Sequence, residues 1–214
     1  MRPSPVLRRV AATLALLACA ACPAAAQERS SSARLWIEAG PSFDRDRQRY
    51  NNENGYALAG GIDLGRTLAL MVGAAAEHYP LAGESRQVTI AGVGGPDTLR
   101  LEGGGNKRVL CVMAGLRLTI PQERLQPVFE VGVGAASVAA DRPRYVDPST
   151  GAVVYPSGRS EWSGALGELG LGIRTHRQKL YDWSLGVRWR TYTQLFEGSS
   201  GGSFQARVGM VRNL

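Results

Sequence analysis

The stretch Trp183-Ser184-Leu185-Gly186-Val187-Arg188-Trp189-Arg190 decides the fold. Trp183, Leu185, Val187 and Trp189 share one parity, and Ser184, Gly186, Arg188 and Arg190 share the other. Successive side chains of a strand point to opposite faces, so this segment has one large apolar face and one small or cationic face. The same period-2 pattern recurs over residues 35–43, 56–64, 68–79, 109–119, 128–139, 162–175, 183–194 and 203–213, giving eight strands. A tilted strand needs about 9–11 residues to cross a bilayer, and these runs match that length better than the average soluble strand of about 5–6.

The two faces differ in kind along the whole chain. One carries residues such as Leu35, Ile37, Leu70, Val72, Val112, Leu116, Val131, Val133, Leu169, Leu171, Leu185 and Val208, with no charge in the middle of any strand. The other carries Glu38, Asp63, Glu77, Arg117, Glu130, Glu168, Arg174, Arg188, Arg190 and Arg207, set among glycine and alanine. Those ten are five acids and five arginines with no lysine, a balance that suits a confined lumen where every ion must be paired or hydrated. Arginine fits that setting because its planar fork binds carboxylates bidentately. The expected fold class is therefore all-β: an eight-stranded, antiparallel, up-and-down transmembrane β-barrel with its charges inside, following an N-terminal signal peptide. Tyr56, Phe129, Trp183 and Phe204 stand near strand ends on the apolar face and are expected at the membrane interfaces.

The connections alternate in length. Those at 44–55, 80–108 and 140–161 are long, that at 195–202 is intermediate, and those at 65–67, 120–127 and 176–182 are short. Short turns on one rim and long loops on the other is the pattern of an outer-membrane barrel with its short turns in the periplasm. An even strand number puts both termini on the short-turn side.

Arg2, Arg8 and Arg9 precede an apolar run over 10–21 and a small-residue stretch ending at Ala26. That order is a secretory signal peptide, and the run is too short to span a bilayer as a helix. The expected organisation is a leader over 1–26, a short segment over 27–32 and the barrel over 33–214. Cleavage after Ala26 and lipidation at Cys19, in Leu16-Leu17-Ala18-Cys19, both stay open. Loss of the leader removes three arginines from a chain with 25 basic and 18 acidic residues, leaving a balance too mild to call for a nucleic-acid partner. It also removes Cys19 and Cys22, so Cys111 alone can form neither an intrachain disulfide nor a cysteine metal site. The mean hydropathy of -0.14 is what alternating faces produce on averaging.

In architecture the chain resembles the small eight-stranded outer-membrane barrels of the outer membrane protein A and X kind, over nearly all of residues 33–214. The resemblance implies assembly by the barrel assembly machinery and contact with outer-membrane lipids. Those families usually close on an aromatic residue. Here the terminal strand keeps its alternation through Phe204, Ala206, Val208 and Met210, but Arg212 interrupts it and Leu214 ends it.

Enzymes occur among barrels of this size, and each kind needs its own residue pattern. Lipid A deacylases use a His-x-Ser pair with an acidic partner. His78 is followed by Tyr79 and Pro80, and His176 falls in a short turn, so neither matches. Lipid A palmitoyltransferases use rim residues, and Glu77, His78 and Ser85 lie close in sequence at a rim. Glu77 and His78 have opposite parity and belong to opposite faces. The clusters Gly94-Gly95, Gly103-Gly104-Gly105 and Gly201-Gly202 lack the Lys-Ser/Thr sequel of a phosphate loop and read as turns. No cofactor or metal is expected.

Residues 87–91 and 98–102 alternate about a Gly-rich turn, a hairpin that would extend the long connection above the membrane and offer an edge to a surface protein or host ligand. The reading is a non-enzymatic barrel of the bacterial outer membrane with a side-chain-filled lumen, serving envelope integrity or surface interaction. A lipid-modifying enzyme and a periplasmic small-ligand-binding barrel are the alternatives.

Overall fold

A computed structural model describes residues 33–83, 85–92, 95–175, 181–194 and 200–214. The leader over 1–26, Cys19, the 27–32 segment and His176 lie outside the described residues.

The barrel strands are β1 (Ala33–Asp44), β2 (Gly55–Leu64), β3 (Leu68–Tyr79), β6 (Gly105–Thr119), β7 (Leu125–Arg142), β10 (Gly158–Thr175), β11 (Tyr181–Gln194) and β12 (Ser200–Asn213). They form a closed antiparallel barrel in the order β1-β12-β11-β10-β7-β6-β3-β2. Apart from the closure of β12 on β1, neighbours in the wall are neighbours among the eight along the chain, which is the up-and-down topology expected. The four remaining strands, β4 (Arg86–Gly92), β5 (Gly95–Glu102), β8 (Arg144–Val146) and β9 (Val153–Tyr155), make a separate sheet ordered β4-β5-β8-β9. That sheet is built from two long connections on one rim. The β4–β5 hairpin is the one its alternation predicted, whereas β8 and β9 fall in a stretch read as loop.

Turn chemistry matches the rims. Gly65 has φ +124° in the tight β2–β3 turn, and a Cβ there would lie 2.5 Å from the Leu68 carbonyl oxygen, so the turn requires glycine. On the opposite rim the first long connection contains a single helical turn, Arg47–Tyr50. Asn52 bridges to Leu81, and the Asn51 side chain donates to the Gly103 carbonyl, tying that connection to the next.

Burial is inverted relative to a soluble barrel. Val133 is 67% exposed and Leu169 64%, while Arg188 and Arg190 are at most 1% exposed. The apolar parity faces outward along all eight strands and the charged parity faces in. Strand β6 begins four residues earlier than its alternation suggested. Lys107 thereby enters the interior, so the inward face carries one lysine where the sequence reading had none.

Candidate functional site

Among the described residues the lumen concentrates buried polar side chains, and strand register dictates who meets whom. Arg117 on β6 stands directly opposite Glu130 on β7. Its Nε donates to Glu130 Oε1 at 2.9 Å, and its Nη1 donates to both Asp63 oxygens at 2.8 and 2.6 Å. Glu130 in turn pairs with Gly170 on β10, and Gly170 with Arg188 on β11. A Cβ on Gly170 would lie 2.7 Å from Glu130 Oε2. The glycine therefore opens the gap through which Arg188 Nη2 reaches that oxygen, at 2.7 Å. Arg207 approaches Glu130 at 3.4 Å and also donates to Glu38, which lies 3.3 Å from Arg188.

The chain of pairs continues upward. Arg188 Nε lies 2.8 Å from Glu168 Oε1, and Arg190 joins Glu168 at 2.6 Å to Glu77 at 2.8 Å. Glu77 also accepts from the hydroxyls of Tyr79 and Tyr192, which hydrogen-bond Ser42 at 2.7 Å and Ser203 at 3.1 Å. Arg174 is the outlier, 3.6 Å from Asp63 at the short-turn end. All ten lumen residues named from the sequence are buried, and nine form one connected set to which Arg174 is loosely joined.

Several lumen residues escaped the sequence reading. The Trp36 ring lies under two guanidinium groups, Arg117 at 4.8 Å and Arg188 at 5.6 Å. Its space comes from Gly61 and Gly73, where a Cβ would approach the indole to 2.8 Å. Met71, Met113, Cys111 and Leu166 fill the remainder. At the long-connection mouth, Lys107 bonds Asp44 at 2.8 and 3.0 Å and lies near the rings of Tyr50 and Tyr79. Inward parity was the available signal for Trp36. None existed for Lys107, because its strand began within an apparent loop.

The carboxylates of the network receive arginine or tyrosine donors, and Ser42 and Ser203 are held by tyrosines. A cavity of about 10 Å³ beside Glu38, Glu130 and Arg207 has room for about one water. No cluster of three metal-ligating side chains occurs among the described residues. Glu77 lies inside the wall, His78 packs outside against Tyr56 at 5.3 Å, and Ser85 is exposed in the following connection, so that trio is not assembled.

The four named aromatic residues all lie on the outer surface. Tyr56 and Phe204 stand toward the long-connection rim and Phe129 and Trp183 toward the short-turn rim. Phe43 and Trp189 extend the upper set, with Phe43 6.2 Å from Phe204 and Arg45 over the Trp189 ring at 5.6 Å. At the lower rim Arg212 lies over the Tyr181 ring at 5.8 Å.

No protein-family model matches the chain, and no curated protein sequence matches it. Solved structures do match. Neisserial surface protein A superposes with a TM-score of 0.54 at 8% identity, over 86% of this chain and 96% of that one. The N-terminal β-barrel domain of Pseudomonas aeruginosa OprF aligns at 13% identity over 86% of this chain and all of its own length, with a TM-score of 0.44. The outer membrane enzyme PagL aligns at 14% identity over 85% of this chain and 99% of its own, with a TM-score of 0.43. What is shared is the fold, that of the small eight-stranded outer-membrane barrels.

Proposed function

We propose that this chain is exported by its cleaved N-terminal leader and spans the bacterial outer membrane as a closed, non-enzymatic barrel. Its role is envelope integrity and surface interaction through the long loops. The observation that carries this reading is the inverted polarity of the wall. A continuous apolar band faces out, and a buried network of arginines and carboxylates faces in. In water such a surface would expose a hydrophobic patch far larger than a monomeric soluble protein carries. In a bilayer it is the expected surface. Tyr56 and Phe204 then mark the outer interface, and Phe129 and Trp183 the periplasmic one. In this reading the network acts as a structural plug, with its ten ionic side chains all buried within the lumen.

Fractionation with unboiled-gel electrophoresis tests the location. The mature chain is expected in the outer-membrane fraction, with a band that shifts on boiling. Recovery in the soluble periplasmic fraction would overturn the reading. Planar-bilayer recording tests the plug, with no steady conductance expected from the inserted protein.

A further inference from the structure

Just above the apolar band on the long-connection side, one row of the wall departs from the hydrocarbon pattern. Tyr56 on β2 pairs with His78 on β3, and His78 with Arg108 on β6. All three side chains point outward, because their strand neighbours Ala57, Glu77, Lys107 and Val109 are buried inside. Leu110, 55% exposed, lies directly below Arg108 on the same face. Directly opposed residues have Cβ atoms about 5 Å apart, so the three polar heads form one strip.

The strip has donors and no carboxylate of its own. Farther along the row, Arg108 pairs with Ala139 and Ala139 with Glu161, whose carboxylate is held by Arg159 at 2.7 Å. Asp141 stands one step above Ala139, opposite Arg159. Among the described residues Arg108 has no ion-pair partner. Other arginines of the long-connection side are engaged: Arg142 bonds Ser160, Arg144 and Arg100 pair with Glu102, and Arg45 stacks on Trp189.

We propose that Tyr56, His78 and Arg108 form a headgroup site for a phosphorylated lipid of the outer leaflet. An arginine fork binds a phosphate bidentately, while the imidazole and phenol supply further N–H and O–H donors. The lipid's acyl chains would lie on the apolar column that Leu110 begins. The proposal rests on the membrane reading above.

The test uses the full mature chain in phosphatidylcholine nanodiscs doped with bis-phosphorylated lipid A or with its dephosphorylated form. Lipid retained on the protein is read by native mass spectrometry. The wild type is expected to favour the phosphorylated form about tenfold, the size of one charge-assisted contact. Arg108→Gln is expected to abolish the preference and His78→Gln to weaken it. Arg144→Gln, which removes the same charge from a paired arginine, is expected to keep it. Equal retention of both lipids, or loss of preference in Arg144→Gln but not in Arg108→Gln, overturns the site. Displacement of the lipid by millimolar inorganic phosphate would make it an anion site and overturn the lipid assignment. Failure of the chain to insert, read as absence of the heat-shifted band, would overturn the membrane reading and this one with it. Insertion without phosphate preference overturns this one alone.

Discussion

Arg190→Ala probes the interior most directly. Its Nε and Nη1 bind Glu168 at 2.6 Å and Glu77 at 2.8 Å, and all three side chains are fully buried. Removing one partner of a buried pair leaves an uncompensated charge and typically destabilises by about 3–5 kcal/mol. Two carboxylates lose a partner here, but neither is stranded. Glu168 keeps Arg188 at 2.8 Å, and Glu77 keeps the hydroxyls of Tyr79 and Tyr192. A loss of about 4 kcal/mol is therefore expected, rather than twice that. The assay is urea unfolding of the barrel in phospholipid vesicles, followed by tryptophan fluorescence with refolding as the reversibility control. Arg190→Met combined with Glu77→Gln and Glu168→Gln separates charge from packing. Neutralising buried ionic partners together is often close to neutral, and Arg188, which loses Glu168, keeps Glu130 at 2.7 Å, so the triple variant should regain most of the loss. A single variant within about 1 kcal/mol of wild type, or a triple variant no better than the single, would refute the reasoning.

Three other outcomes follow from the same geometry. Val133→Arg, at the middle of the outward band of β7, should destabilise the bilayer-inserted barrel by about 2–4 kcal/mol by urea titration in vesicles, whereas a wall facing water would tolerate it. Gly73→Val, which drives side-chain atoms into Trp36 and the Gly60 carbonyl, should weaken the fold by about 1–3 kcal/mol, read as a smaller folded fraction on unboiled gels. Asp46, in the first long connection, has its carboxyl raised above the ordinary range, by burial first and against the pull of Lys107. The folded state thus holds that proton more tightly, so this residue's contribution turns unfavourable as pH rises through the raised value and is relieved as pH falls. Asp46→Asn should make proteolysis of that connection less dependent on pH.

Most of the wall was legible in the chain because period-2 alternation is a local property and each barrel strand carries it. The segment Leu68–Tyr79 was delimited at both ends by Gly65 and Pro80, and there the expected and observed strands coincide. Strands grew by three residues or fewer at the short-turn rim, where β7 begins at Leu125, and furthest at the long-connection rim. There β6 reaches Gly105 and β10 reaches Gly158, because backbone pairing with a neighbour extends a strand past the end of its apolar pattern. β8 and β9 were invisible for a related reason: three residues are too few to establish a period. Within the lumen, charge and parity picked out the ten ionic residues. Which arginine meets which carboxylate depends on register across non-adjacent strands, and on glycines such as Gly170 that leave room for the crossing. Single-strand patterns do not encode that. Trp36 shows the limit: an inward tryptophan between guanidiniums looks, in sequence, like a misplaced outward one.

The first and last strands of the barrel have a consequence for how it is made. β1 and β12 meet only when every intervening strand is in place, so their contact is the one with the greatest sequence separation and the largest entropic penalty to form. Until then both carry open edges able to recruit other chains. Their ladder runs from Arg34–Asn213 to Ala39–Val208 and resumes at Ser42–Gln205, skipping Gly40 and Pro41, the second of which has no N–H to donate. The seam is therefore fastened in two separate stretches. Its lower stretch is locked by the Leu214 amide donating to the Ala33 carbonyl at 3.0 Å, and its upper one by the Phe43–Phe204 contact. Closure is expected to be the slow final event of biogenesis, completed along a seam made in two stretches.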